Sequence, residues 1–156
     1  EDGRITVACK TKAKFMILLH TNDSNASGVE IYAPNNCDLE IAKNIASKIC
    51  ENSNLSYSTY NSYKVQDGVY IRNFKTYDIT KRSESLSAKG IEPYLITTSA
   101  TNAYVDGRDK NYSANKYYNS NQGIECYQVS VGNIKSDLEI LKNEKEAIIN
   151  AIASVF

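Results

Sequence analysis

The chain has 156 residues, enough for one domain with a sizeable core, and residues 1–156 read as a single domain. Lys plus Arg and Asp plus Glu both number 18, so the formal net charge is zero and no long-range field selects nucleic acid or an anionic surface. No stretch approaches the roughly twenty apolar residues that cross a bilayer, and Glu1-Asp2-Gly3-Arg4 has neither the basic cluster nor the apolar core of a signal peptide.

Residues 4–13 read as a helix end, with Ile5, Ala8 and Cys9 on one face and Lys10, Lys12 and Lys14 near its carboxyl end. Phe15-Met16-Ile17-Leu18-Leu19 is a short continuous apolar run and predicts a central, fully buried strand. His20 ends it, and the polar segment Thr21 to Gly28 follows as a loop. Val29-Glu30-Ile31-Tyr32 alternates and predicts a second strand, broken by Pro34-Asn35-Asn36. Asp38 is placed to cap a helix in which Leu39, Ala42, Ile45, Ala46 and Ile49 recur at helical spacing. Glu51 to Lys64 is polar and turn-rich and reads as a surface loop.

Val69-Tyr70-Ile71 is a short strand candidate, Asp78 to Lys89 a helix candidate and Tyr94 to Thr98 a further strand candidate. Thr101 to Gln122 is dense in Asn, Tyr, Asp, Gly and Ser, the length and composition of a functional or disordered loop. Ile124 to Val131 alternates as a strand. Ser136 with Glu139 forms a capping-box pattern before a final helix that runs to Val155, with Leu138, Leu141, Ile148, Ile149, Ile152 and Val155 on its apolar side.

Strands alternating with helices predict an α/β fold: a mainly parallel or mixed twisted sheet flanked by helices on both faces. Cys9, Cys37, Cys50 and Cys126 contain no C-x-x-C pair. They suit small buried hydrophobes, and two disulfides remain open if the protein is exported. Twelve tyrosines suit half-buried strands, and equally a ligand with apolar faces and polar edges. In α/β folds ligands gather at the carboxyl ends of strands, where His20 lies. One histidine does not hold zinc, because a catalytic zinc takes about three protein ligands.

Phe15-Met16-Ile17-Leu18-Leu19-His20-Thr21-Asn22 followed by Ser27-Gly28-Val29-Glu30-Ile31-Tyr32 resembles a segment of the zinc-dependent N-acetylmuramoyl-L-alanine amidases. Asn102 to Arg108 and Lys116 to Glu125 resemble a clostridial-type branch of that family, and Arg4, Ala8 and Ala13 match its upstream helix. The resemblance implies an amidase-like fold and a zinc ligand at His20. It also implies an activity, cleavage of the bond between the lactyl group of muramic acid and L-alanine. Zinc there polarises the amide carbonyl and acidifies a water, and a Glu serves as base and then acid.

Three departures qualify that expectation. The family's first zinc His and its Glu ligand would lie upstream of Glu1, so the resemblance covers the carboxyl-terminal part of the family domain. Where the family has its acid/base Glu, this chain has Ser130 in Ser130-Val131-Gly132-Asn133. Leu95 to Thr101 replaces an Arg-Glu-Thr-Gly-Gly stretch. Glu30 and Glu125, each after a Gly-x pair, are candidate ligand-binding residues or strand-embedded carboxylates with local partners. Asp106 and Arg108 could bind a peptide carboxylate, pair with each other or form a solvated turn.

The expectation is a degenerate, secreted or cell-wall-associated amidase domain that binds peptidoglycan fragments and is inactive alone. One alternative is an active zinc amidase whose missing ligands come from another segment or chain. Another is a self-assembling or partner-completed structural protein, since an unpaired sheet edge recruits strands. Neither a nucleic-acid partner nor a membrane span is expected.

Overall fold

The computed structural model describes residues 7, 13–22, 26–33, 38–71 and 125–156. Five strands form one mixed sheet: β1 (Phe15–Asn22), β2 (Val29–Ala33), β3 (Lys64–Gln66), β4 (Val69–Ile71) and β5 (Glu125–Asn133), in the order β1-β5-β2-β4-β3. β1 runs parallel to β5 and β2 parallel to β4, whereas β2–β5 and β3–β4 are antiparallel. Three helices fall wholly within the described residues: α1 (Leu39–Asn52), α2 (Leu138–Asn143) and α3 (Lys145–Ala153). The α/β expectation therefore holds, with the sheet mixed.

The strand period of two divides the sheet into unlike faces. Val29 pairs with Val131, and Ile31 with both Val129 and Val69. These residues form one buried cluster with Ala42, Ile45, Ala46 and Ile49 of α1 and Ile148 and Ala151 of α3. Fully burying a side chain such as Ile45 or Ile49 contributes about 1.5–3 kcal/mol, so this face carries most of the apolar stabilisation. Among the described residues the helices that reach the core do so on this face. The helix expected at Asp78–Lys89 lies outside those residues, as do Cys9, Cys37, Asp106, Arg108, the strand candidate Tyr94–Thr98 and the loop Thr101–Gln122.

Local chemistry sets the ends of α1. The Asp38 carboxylate accepts from the Glu40 amide at 2.9 Å, satisfying an orphan donor of the first turn. At the other end, Ser53 Oγ donates to the Ile49 carbonyl at 2.7 Å and Asn52 Nδ2 to the Lys48 carbonyl at 2.8 Å.

Three expectations need correction. β1 is an edge strand of the described sheet, not its centre. Its last residues are solvent-facing, with Leu19 59% exposed. An apolar run suits a covered strand, but it does not specify how many neighbours the strand has. The buried interior strands are β2, in the middle of the order, and β5 beside it, in which every residue from Cys126 to Asn133 is buried. The terminal helix is also two helices. Its break at Glu144 coincides with a carboxylate that accepts from the Asn54 backbone amide at 2.7 Å and from Asn54 Nδ2. Ser136 makes no capping box; it lies in a turn, and Asp137 precedes the first helical residue.

That turn forms a polar clasp at the carboxyl end of β5. Asp137 Oδ2 accepts from the amides of Asn133 at 2.8 Å and Gly28 at 3.0 Å. Asn133 Oδ1 accepts from the Lys135 and Ser136 amides, and its Nδ2 donates to the Ala26 carbonyl at 2.9 Å. Gly28 has φ 91°, and a Cβ there would lie 2.5 Å from the Ser56 carbonyl oxygen, so a side chain is excluded by both backbone and space. Asp137→Ala leaves two amides without their acceptor. The expected loss is about 2–3 kcal/mol, read as a lower urea midpoint at unchanged m. Asp137→Asn, which keeps one carbonyl acceptor, should lose less.

Candidate functional site

The face opposite the described helices carries a polar patch, and its residues form rows fixed by strand register. His20 of β1 pairs with Ser130 of β5, and Ser130 pairs with Glu30 of β2. Directly paired residues share a face, so His20, Ser130 and Glu30 form one row. Its ends are about 10 Å apart at the backbone, twice the usual strand spacing. Beside it runs a second row, Leu18, Gln128, Tyr32 and Tyr70.

Exposure changes sharply along the first row. His20 is exposed, Ser130 is fully buried and Glu30 is 3% exposed. Burying a carboxylate is costly unless hydrogen bonds replace its water. Two hydroxyls do so here: Tyr32 donates to Glu30 Oε2 at 2.8 Å and Ser58 Oγ to Glu30 Oε1 at 2.6 Å. Ser58 is held by the neighbouring chain, where Val29 donates to the Ser56 carbonyl at 2.8 Å and Ser58 donates back to Val29 at 3.1 Å. The segment read as a surface loop therefore anchors along β2 and delivers a buried hydroxyl to Glu30.

Tyr70 extends the network. Its hydroxyl donates to the Tyr60 carbonyl at 2.8 Å, with the Ser58 carbonyl at 3.3 Å. Its ring lies 5.1 Å from that of Tyr32 and 6.0 Å from that of Tyr60. Burial pushes the Tyr70 phenol up, its Ser58 hydrogen bond draws it partly back, and the Glu30 charge adds to the rise. On β5, Gln128 Nε2 lies 3.4 Å from Ser130 Oγ. Gln128 Oε1 is buried with no hydrogen-bond partner among the described residues.

The structure thus brings together His20, Ser130 and Glu30. Glu125 stands elsewhere, five residues before Ser130 at the opposite end of β5 and paired with Phe15. That separates the two by about 16 Å along an extended strand. Glu125 neighbours Asp38 and Lys14, and its carboxyl lies above the ordinary range, first through burial and then through the Asp38 charge. Ser58, Tyr32 and Gln128 are site residues that sequence reasoning missed. Tyr32 and Gln128 carried one usable signal, being two positions from Glu30 and Ser130 and hence on the same strand faces.

The zinc implied at His20 can be tested against the donors present. Among the described residues no group of three His, Cys, Asp or Glu side chains could hold a metal ion. His20 and Glu30 stand two strands apart, and both Glu30 oxygens already accept hydrogen bonds. This donor set does not fit a catalytic zinc, which takes three protein ligands around an open position. Among the described residues, no helix is long and apolar enough to cross a membrane.

No family model and no curated protein matches the sequence. Solved structures do resemble the fold. The N-acetylmuramyl-L-alanine amidase Ami1 from Mycobacterium smegmatis superposes with a TM-score of 0.54 at 12% identity, over 97% of this chain and 58% of that one. The apo form of Ami1 from Mycobacterium abscessus gives 0.52 at 12% identity, over 97% and 56%. The putative N-acetylmuramoyl-L-alanine amidase from Neisseria meningitidis gives 0.51 at 15% identity, over 99% and 63%. The chain has an amidase-like fold and spans less than two thirds of the length of these structures.

Glu125 gives a pH test. Between the ordinary carboxylate range and its raised folded value, the folded state keeps a proton that the unfolded chain has released. Stability therefore falls as pH rises through that window. Relative to Glu125→Gln, the unsubstituted protein should gain stability as pH falls from about 7 to about 4. Urea midpoints across that range check the sign, and parallel curves would remove Glu125 as the source.

Proposed function

We propose that this chain is a degenerate N-acetylmuramoyl-L-alanine amidase domain, secreted or cell-wall associated, that binds peptidoglycan fragments and does not hydrolyse them alone. The observation that carries this reading is Ser130. By the sequence resemblance it takes the position of the family acid/base, and it lies within the buried strand β5 in register with His20. A serine hydroxyl does not act as a carboxylate base, and general acid–base groups contribute about 10²–10⁴-fold. The amidase-like fold and the resemblance around His20 support the choice of peptidoglycan. The polar row beside His20 supports retention of a binding face.

The place of β1 at the edge of the described sheet favours a second reading. Phe15 to Leu19 is apolar and free of charge or proline, and such an edge accepts another strand. On this reading another chain completes the sheet and an oligomer or hetero-complex forms. A partner that also brought zinc ligands to His20 would give an active zinc amidase.

The test is release of amino groups from purified peptidoglycan, with and without added zinc, alongside co-sedimentation. The expected outcome is co-sedimentation without release. Ser130→Glu should not restore activity, because a base needs a metal-activated water to act on. Robust zinc-dependent release by the unsubstituted chain would overturn the proposal. A defined oligomer that Leu19→Lys disperses would favour the second reading.

A further inference from the structure

The buried carboxylate of Glu30 has no cationic partner among the described residues. Its two hydrogen bonds come from neutral hydroxyls, and no ion pair of the described residues includes it. A second buried acceptor stands on the adjoining strand. Gln128 is 1% exposed, and its Oε1 has no hydrogen-bond partner among the described residues. Ser130, in register with Glu30 and two residues from Gln128, offers a hydroxyl oxygen between them. Of these acceptors only Gln128 Oε1 lacks a hydrogen bond among the described residues, while Glu30 is a buried charge bonded only to neutral hydroxyls. A buried acceptor without a donor and a buried charge without a counter-charge are both costly, and a cationic donor would relieve both.

We infer that the Glu30, Gln128 and Ser130 side chains bind a primary ammonium group, carried by an amino acid or a peptide. This deepens, and rests on, the reading of the domain as a binding module. An ammonium brings three N–H donors and one positive charge. The set offers three acceptor groups and one negative charge. Tyrosine rings favour an organic cation over a metal ion: Tyr32 and Tyr70 lie in the adjacent row, and Tyr60 stacks on Tyr70. One carboxylate, one amide oxygen and one hydroxyl fall short of the six to eight oxygens of calcium. The acceptor set is closed to solvent, but residues at its margins are open: His20 is exposed and Tyr60 is 38% exposed.

The probes are Nα-acetyl-L-lysinamide and Nα-acetyl-L-norleucinamide, which differ by the ammonium group. Binding to the full chain is followed by heteronuclear NMR, with co-sedimentation on peptidoglycan in parallel. The lysine probe should give saturable shifts at Glu30, Tyr32 and Gln128, and the norleucine probe none. Glu30→Gln, nearly isosteric, should weaken lysinamide binding about tenfold or more, the scale of one lost charge-assisted contact. Gln128→Met, which removes the second acceptor at similar volume, should weaken it measurably and decides the matter if Glu30→Gln does not fold. Equal response to both probes, response to neither, or undiminished binding by the folded variants would overturn the inference. Co-sedimentation without lysinamide binding would overturn it and leave the proposed function standing. Lysinamide binding without co-sedimentation would uphold it and remove peptidoglycan as the ligand.

Discussion

The structure depends on the register of β5 between two neighbours of opposite direction. One residue of slip would exchange the strand's two faces. Tyr127, Val129 and Val131 would leave the helix-packed core, and Cys126, Gln128 and Ser130 would enter it. Neither exchange is tolerable. The apolar set would lose its burial, and Gln128 and Ser130 would lie among aliphatic side chains. Because β5 pairs with β1 on one side and β2 on the other, the same register places His20 and Glu30 on either side of Ser130. Core packing and site geometry are therefore one constraint.

The clasp at Asp137 and Asn133 guards that register where the strands end. β1 and β5 shift their pairing between His20 and Asn22, and immediately afterwards Ile134 donates to the Asn22 carbonyl at 2.7 Å. The Asp137 carboxylate links the end of β5 to Gly28 at the start of β2, across 109 residues of sequence. Long-range contacts of this kind repay a loop-closure cost that local ones do not carry. Here the cost is met where β1, β2 and β5 converge, next to the row of His20, Ser130 and Glu30. A perturbation of the clasp should therefore reach both stability and the polar face.

Much of this was legible in the sequence, for identifiable reasons. The spacing of Ala42, Ile45, Ala46 and Ile49 defined α1 because one helix face must be apolar, and Asp38 marked its start. The strands at Val29–Tyr32 and Val69–Ile71 were visible as short runs between breakers. His20 and Ser130 were singled out separately, one by position and one by resemblance, and pairing makes them neighbours. What was not legible was pairing itself. Nothing local in Phe15 to Leu19 says that β1 lies at an edge. Nothing in Ser58 announces a bond to a carboxylate 28 residues earlier. The predicted capping box at Ser136 lost to a competitor, since the Asp137 carboxylate and the Asn133 side chain take the nearby amides. Glu125 and Glu30 looked alike in sequence, each after a Gly-x pair, yet the fold separates them to opposite ends of the sheet.

The placement of charge on the polar face bears on what this domain can do. An acid/base carboxylate must exchange a proton with a reacting group within hydrogen-bond reach. Ser130 has no carboxylate, and the carboxylate beside it, Glu30, is fixed by two hydroxyl donors in a closed setting. Those bonds replace the water that burial removes and direct its lone pairs. His20 remains exposed at the other end of the row, about 10 Å away across β5. Two groups that would need to converge on one water are thus separated by a buried serine. The row sets a buried carboxylate beside a buried serine and leaves the histidine exposed at its far end, and that arrangement supports the proposed binding role.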